Sequence, residues 1–215
     1  MNLTANLERI RQTIPNHVTL VAVTKNRSTR AVIEMLRARV NVIAENRIQE
    51  ALKKFPQLPS PKELPHKRHF IGHLQTNKAK DAVALFDMIE SVDSLKLVEK
   101  LNAEAGKQHK ILPILLQINV SQDPDKYGFS ANDLSTVIIK IKKLPHLNVR
   151  GLMTIGKFHD NPEDARSDFR HLKQLCTTHN LPECSMGMSH DYKVAIEEGA
   201  TMVRLGTILF EGNKE

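Results

Sequence analysis

The stretch Val18-Thr19-Leu20-Val21-Ala22-Val23-Thr24-Lys25 is an apolar, β-branched run that ends on a lysine. A run of this kind reads as a strand buried on both faces of a parallel sheet, with Lys25 at its tip. Seven more such stretches follow, at residues 40–43, 69–72, 88–92, 111–120, 149–155, 184–188 and 202–205. Amphipathic segments of helical period lie between them, including residues 29–39, 45–55, 94–105 and 162–176. Ser94 before Leu95, and Asn161-Pro162 before Glu163, are helix-start signals. Eight strands alternating with helices predict an α/β fold, a single (β/α)8 TIM barrel over residues 1–215. An open doubly wound sheet fits the same alternation, but no GxGxxG follows the first strand, which weakens its dinucleotide-binding form.

Composition narrows the function. Hydrophobic residues make up 40% and charged residues 26%, ordinary for a soluble globular chain. No run approaches the roughly 18 apolar residues of a membrane span, and the N-terminus lacks a signal peptide's apolar block. Cys176 and Cys184 are too few and too isolated for a disulfide framework or a metal knuckle, so a cytoplasmic location is expected. The net charge of +7 is spread through many segments, aromatics are only 4%, and Trp is absent. Those features disfavour nucleic acid and suit a small anionic ligand. Pro56, Pro59, Pro61 and Pro65 stiffen the connection to the third strand, a structural loop expected on the barrel's bottom face.

Barrel enzymes carry their functional groups where strands end. That rule selects Lys25, Glu45-Asn46, His73, Asp93, Asn119, Met153, Ser189 and Gly206-Thr207. A lysine at such a tip suits Schiff-base chemistry, against the plainer reading of a solvated residue opening a helix. Ser185-Met186-Gly187-Met188-Ser189 and Leu205-Gly206-Thr207 supply small residues and hydroxyls after strands seven and eight, where many barrels hold phosphate. For Gly206 the plainer reading is a turn, and for Ser189 a cap on a helix over 192–198. Arg204 is either a surface-paired strand residue or, inside the barrel, a partner for a pyridine ring nitrogen. An amine and a phosphate cradle together call for a cofactor with an aldehyde and a phosphate, which describes pyridoxal 5'-phosphate. A metal site on His66, His69 and His73 is not expected, because a strand ending in a turn would separate the last two. No GxSxG elbow is present.

Taken together, VAVTKN around Lys25, AENRIQEA from Ala44, HFIGHLQTNK from His69, SVDSLKLVEKL from Ser91, INVSQDPDKYGF from Ile118, VRGLMTI from Val149, SMGMSHDY from Ser185 and GATMVRLGTILF from Gly199 resemble a known family. It is the family of pyridoxal-phosphate-binding homeostasis proteins, the YggS/PROSC group. The resemblance implies a barrel like the N-terminal domain of alanine racemase, with the cofactor held as an aldimine on Lys25. It implies phosphate contacts from Ser189, Gly206 and Thr207, a ring-nitrogen contact from Arg204, and cofactor-proximal positions for Asn46, His73 and Met153. It also implies a regulator of vitamin B6 supply without established catalysis. Three positions depart from the family pattern: Ala44 replaces a glycine, His190 replaces an acidic residue, and the tail reads FEGN.

Two functions compete. One is a carrier that exchanges pyridoxal phosphate with apo-enzymes, and the other is an amino-acid racemase. Racemisation needs an acid or base on each face of the substrate carbanion. The chain ends ten residues after Leu205, leaving no room for the racemase's second domain, and only Tyr127 and Tyr192 are present as tyrosines. The carrier is expected, as a monomer without catalytic residues or metal, and without nucleic-acid or membrane partners.

Overall fold

The computed structural model describes residues 3–210. After α1 (Leu3–Arg11), the chain alternates between strand and helix. The order is β1 (Thr19–Val23), α2 (Thr29–Arg37), β2 (Val42–Glu45), α3 (Ile48–Lys54), β3 (Lys67–Phe70), α4 (Ala79–Leu85), β4 (Met88–Val92), α5 (Leu95–Lys107), β5 (Leu112–Gln117), α6 (Leu134–Ile141), β6 (Leu147–Met153), α7 (Arg166–Thr178), β7 (Glu183–Met188), α8 (Tyr192–Glu197), β8 (Met202–Leu205) and α9 (Thr207–Phe210). The eight strands pair in sequence order and close into a barrel, with β8 parallel to β1 in the register Thr19↔Met202 to Ala22↔Leu205. This is a TIM barrel.

Strand alternation divides the core into two clusters. Ala22, Ile43, Phe70, Ile89, Leu116 and Leu205 belong to the larger one, packed with helix residues such as Val32, Leu101 and Phe169. Val21, Val42, Ala44, Met88, Leu115, Met153 and Met202 fill the barrel interior. The inner cluster is small because polar residues share the same space. His69, Glu90, Ser185 and Arg204 are all buried, and His69 is paired in register with the inner residues Ala44 and Met88.

Helix starts follow local chemistry. Ser94 Oγ accepts the Leu97 amide before α5, and Ser28 Oγ accepts the Ala31 amide before α2. Asn161 also caps, but the turn it opens is a 3₁₀ turn, Pro162–Ala165, that leads into α7. The fifth strand is shorter than its apolar run. It stops at Gln117, and Ile118 instead bridges to Phe129 at the far end of the loop that follows. Ile118 and Val120 stay buried there, so their apolar character reports packing rather than strand. Among the described residues no helix is long and apolar enough to cross a membrane.

Candidate functional site

The C-terminal ends of the strands gather the polar residues singled out from the sequence. Lys25 is exposed, two residues past the end of β1, and Asn26 follows it in a left-handed conformation at φ 57°. Behind the lysine, Thr24 is fully buried, and its Oγ1 donates to Glu45 Oε1 at 2.7 Å and to the Ala44 carbonyl at 3.2 Å. Lys54, the last residue of α3, reaches into the same spot. Its Nζ donates to the Thr24 carbonyl at 2.6 Å and to Glu45 Oε1 at 2.5 Å. This buried pair ties the tips of β1 and β2 together and sets the direction in which the chain carries Lys25 outward. Nothing in the local sequence marks Lys54, because it looks like any lysine of a solvated helix face.

Asn46 follows β2, and its Oδ1 is buried without a hydrogen-bond partner among the described residues. A buried acceptor of this kind calls for a donor. Gly72 packs against the same residue, and a Cβ there would sit 2.1 Å from the Asn46 carbonyl oxygen. Gly72→Ala is therefore expected to push the tips of β2 and β3 apart and cost about 1–3 kcal/mol, an overpacking penalty. Thermal unfolding of that variant checks it. Ala44 sits within β2 and is not among the residues with positive φ, so replacing the family's glycine introduces no backbone strain.

His73 follows β3, with Nδ1 2.8 Å from Asp93 Oδ2 and its ring stacked on Tyr127 at 3.7 Å between centroids. Met153, fully buried, ends β6 inside the barrel. Asn119 takes no part at the strand tips, since its Nδ2 donates to the Asp123 carbonyl within its own loop.

Ser189, Gly206 and Thr207 come together across the ends of β7 and β8. The helix cap at α8 falls to Asp191, and Ser189 Oγ instead accepts the amides of Gly206 and Ile208 at 3.3 and 3.4 Å. With its oxygen accepting twice, the hydroxyl proton is left to donate outward. The substituted His190 is exposed and contacts the Asp160 carbonyl and the Phe158 ring, away from this cluster. Of the FEGN tail only Phe210 falls within the described residues.

Arg204 faces inward rather than into a surface pair. Its Nη1 donates to Ser185 Oγ at 2.7 Å and its Nη2 to the Thr154 carbonyl at 2.7 Å, just past the end of β6. Burial lowers its pKa, with Glu90 and Asp191 opposing the shift. Glu90 is itself fully buried. Burial pushes its pKa up, but His69, Arg204 and Ser185 outweigh that and hold it below the usual carboxylate range. The result is a buried cation at the upper end of the barrel, linked through Ser185 to the Glu90 carboxylate.

These residues fit pyridoxal 5'-phosphate: an accessible amine, an unpartnered amide oxygen, a fixed guanidinium and a hydroxyl-lined turn stand around one barrel mouth. The comparisons with known proteins agree. Residues 1–214 match the family described as alanine racemase, N-terminal domain. A pyridoxal phosphate homeostasis protein of Aquifex aeolicus is 39% identical over 93% of this chain and 89% of its own length. One from Synechocystis is 42% identical over 92% of this chain and 93% of its own. PipY of Synechococcus elongatus, solved with pyridoxal phosphate bound, superposes with a TM-score of 0.87 at 34% identity over 97% of this chain and all of that one. The chain belongs to the pyridoxal phosphate homeostasis protein family, built on the barrel of the alanine racemase N-terminal domain.

Proposed function

We propose that this protein binds pyridoxal 5'-phosphate through a Schiff base with Lys25. It then acts as a carrier and regulator of vitamin B6 supply, not as an enzyme acting on amino acids. It works as a single-domain monomer in the cytoplasm and hands the cofactor to apo-enzymes. One observation carries this reading: the lysine at the β1 tip is open to solvent, while the groups around it are fixed. Lys25 and His73 are exposed, and Tyr127 beside His73 is 58% exposed. A catalyst that generates a carbanion must keep water out, whereas a carrier must let an incoming amine in. Arg204 favours the carrier as well, because a permanent cation held at the ring nitrogen opposes protonation there and weakens the electron sink that racemisation needs. The names of the relatives, and the pyridoxal phosphate in PipY, support the ligand.

The chain's own residues divide the work. Lys25 supplies the amine. Ser189, Gly206 and Thr207 hold the phosphate, Arg204 faces the ring nitrogen, and Met153 lies beneath the ring. Asn46 and His73 flank it. Bound pyridoxal phosphate would supply an aldehyde, which the lysine captures and another amine displaces.

Two measurements test this reading. Borohydride reduction followed by peptide mapping should tag the peptide containing Lys25, and a tag solely on another lysine sinks the assignment. Amino acids incubated with the loaded protein in heavy water should keep their α-hydrogen, and rapid Lys25-dependent exchange would mean that the racemase reading stands. Phosphate contacts should dominate affinity, since charge-assisted hydrogen bonds are worth about 1.5–3 kcal/mol each against about 1 for neutral ones. Pyridoxal lacking the phosphate is expected to bind at least about tenfold more weakly. Equal affinities in a fluorescence titration would refute the phosphate assignment.

A further inference from the structure

A cavity also opens on the opposite face. About 680 Å³ of space opens at the N-terminal end of the barrel, where Pro61 and Pro65 of the proline-rich loop form part of its wall. That volume falls within the range of small-molecule sites. Met88, Met202 and Val42 of the inner core give it an apolar lining. Its charged lining is mostly cationic. Arg39 and Lys67 are exposed and line it, while Glu183, which also lines it, pairs through Oε1 with Arg150 at 3.1 Å and keeps Oε2 buried without a hydrogen-bond partner among the described residues. His66 is committed on both nitrogens, to the Leu64 carbonyl and the Arg68 guanidinium.

His69 is different. It lines this cavity yet is only 3% exposed. Its Nδ1 is held by Glu90 Oε1 at 2.7 Å, and its Nε2 has no hydrogen-bond partner among the described residues. A buried imidazole with one nitrogen open to a cationic cavity is an unfilled polar position. Beyond it the hydrogen bonds run unbroken. Glu90 Oε2 accepts from Ser185 Oγ at 2.6 Å, and Ser185 Oγ accepts from Arg204 Nη1 at 2.7 Å. This relay crosses the barrel interior from β3 and β4 to β7 and β8, and it ends at the guanidinium of the upper site.

We propose that the N-terminal cavity is a second binding site, for a small anion bearing a carboxylate or phosphate, and that its occupancy is transmitted to Arg204 through His69, Glu90 and Ser185. The oxyanion lies against His69 Nε2 and Lys67, with Arg39 at the rim, and any apolar body packs on Met88 and Met202. To donate to the anion, Nε2 needs a proton. The Nδ1 contact to Glu90 Oε1 at 2.7 Å then places the ring between the ligand and that carboxylate. The charged groups facing it are Glu90, Arg204 beyond Glu90, Lys67 and Glu183. Glu90 then shares its charge between His69 and Arg204, and the arginine's position over the upper site changes. Coupling of this kind is reciprocal, so pyridoxal phosphate must alter anion affinity by the same factor.

Only the transmission to the upper site rests on the pyridoxal phosphate reading; the cavity itself can be tested without it. The ring carbon between the two nitrogens of His69 is followed by NMR in protein labelled at histidine, first without and then with pyridoxal phosphate. The probes are inorganic phosphate and, separately, butanoate, which distinguish the two oxyanion classes. The expected result is a saturable shift of the His69 signal with at least one probe, lost in Arg39→Ala/Lys67→Ala. No His69 shift with either probe, or an undiminished shift in the double variant, overturns the site. The probe that binds should change pyridoxal phosphate affinity at least about fivefold. That change should vanish in His69→Gln, and an unchanged affinity in the parent protein overturns the relay. Because Arg39 and Lys67 are exposed, their double variant keeps the test valid even if His69→Gln fails to fold.

Discussion

Replacing Lys25 by alanine is expected to abolish retention of pyridoxal phosphate through gel filtration while leaving the protein folded. Both halves follow from position. Lys25 is exposed beyond the strand, so its removal opens no cavity and breaks no buried pair. Surface substitutions of this type stay within about 0.5 kcal/mol, which for a chain of this size is a melting shift of about 2 °C or less. The covalent link, by contrast, is lost entirely, and only phosphate and ring contacts remain to slow dissociation. Absorbance of the desalted protein and a thermal melt check the two halves separately. Retention equal to that of the parent protein would show that another group holds the ligand.

The largest effect on stability is expected from Lys54→Met. Lys54 Nζ is the partner of Glu45, whose side chain is fully buried and whose second carboxylate oxygen has no hydrogen bond. Removing the ammonium leaves an uncompensated charge in the barrel wall, a loss of about 3–5 kcal/mol when one member of a buried pair is deleted. It also frees the Thr24 carbonyl, one residue before Lys25, so ligand binding should weaken along with stability. The double variant Lys54→Met/Glu45→Gln removes both charges and is expected to recover most of the stability. Chemical denaturation of the three proteins checks this. A Lys54→Met variant as stable as the parent would mean that the pair carries no structural role.

The sequence is most legible where chemistry coincides with a strand end. Lys25, Asn46, His73, Ser189 and Gly206 all stand within a few residues of a strand's C-terminus, and the alternation of apolar strands with amphipathic helices already implied the barrel. Boundaries were less readable. Residues 45–47 carry the helical period but β2 runs through Glu45, because its pairing with Phe70 at the end of β3 extends the strand. Least legible were the pairings made in space. Thr24 meets Glu45 and Lys54 across 21 and 30 positions, and Glu90 meets Ser185 across 95. No local pattern encodes such contacts, since each residue alone resembles a surface charge or a strand hydroxyl. The cavity beneath the barrel was hidden for the same reason, its walls coming from the β1, β2, β3, β4, β7 and β8 ends together with the proline-rich loop.

The central claim is that this protein holds pyridoxal phosphate in order to release it. Loaded protein, freed of unbound ligand, is mixed with the apo form of an enzyme that requires pyridoxal phosphate, and that enzyme's activity is followed over time. The account predicts recovery of activity in proportion to the loaded protein added, with the Lys25 chromophore disappearing in step and no recovery from desalted Lys25→Ala protein. Full retention of the ligand on Lys25, with the apo-enzyme left inactive, would contradict it.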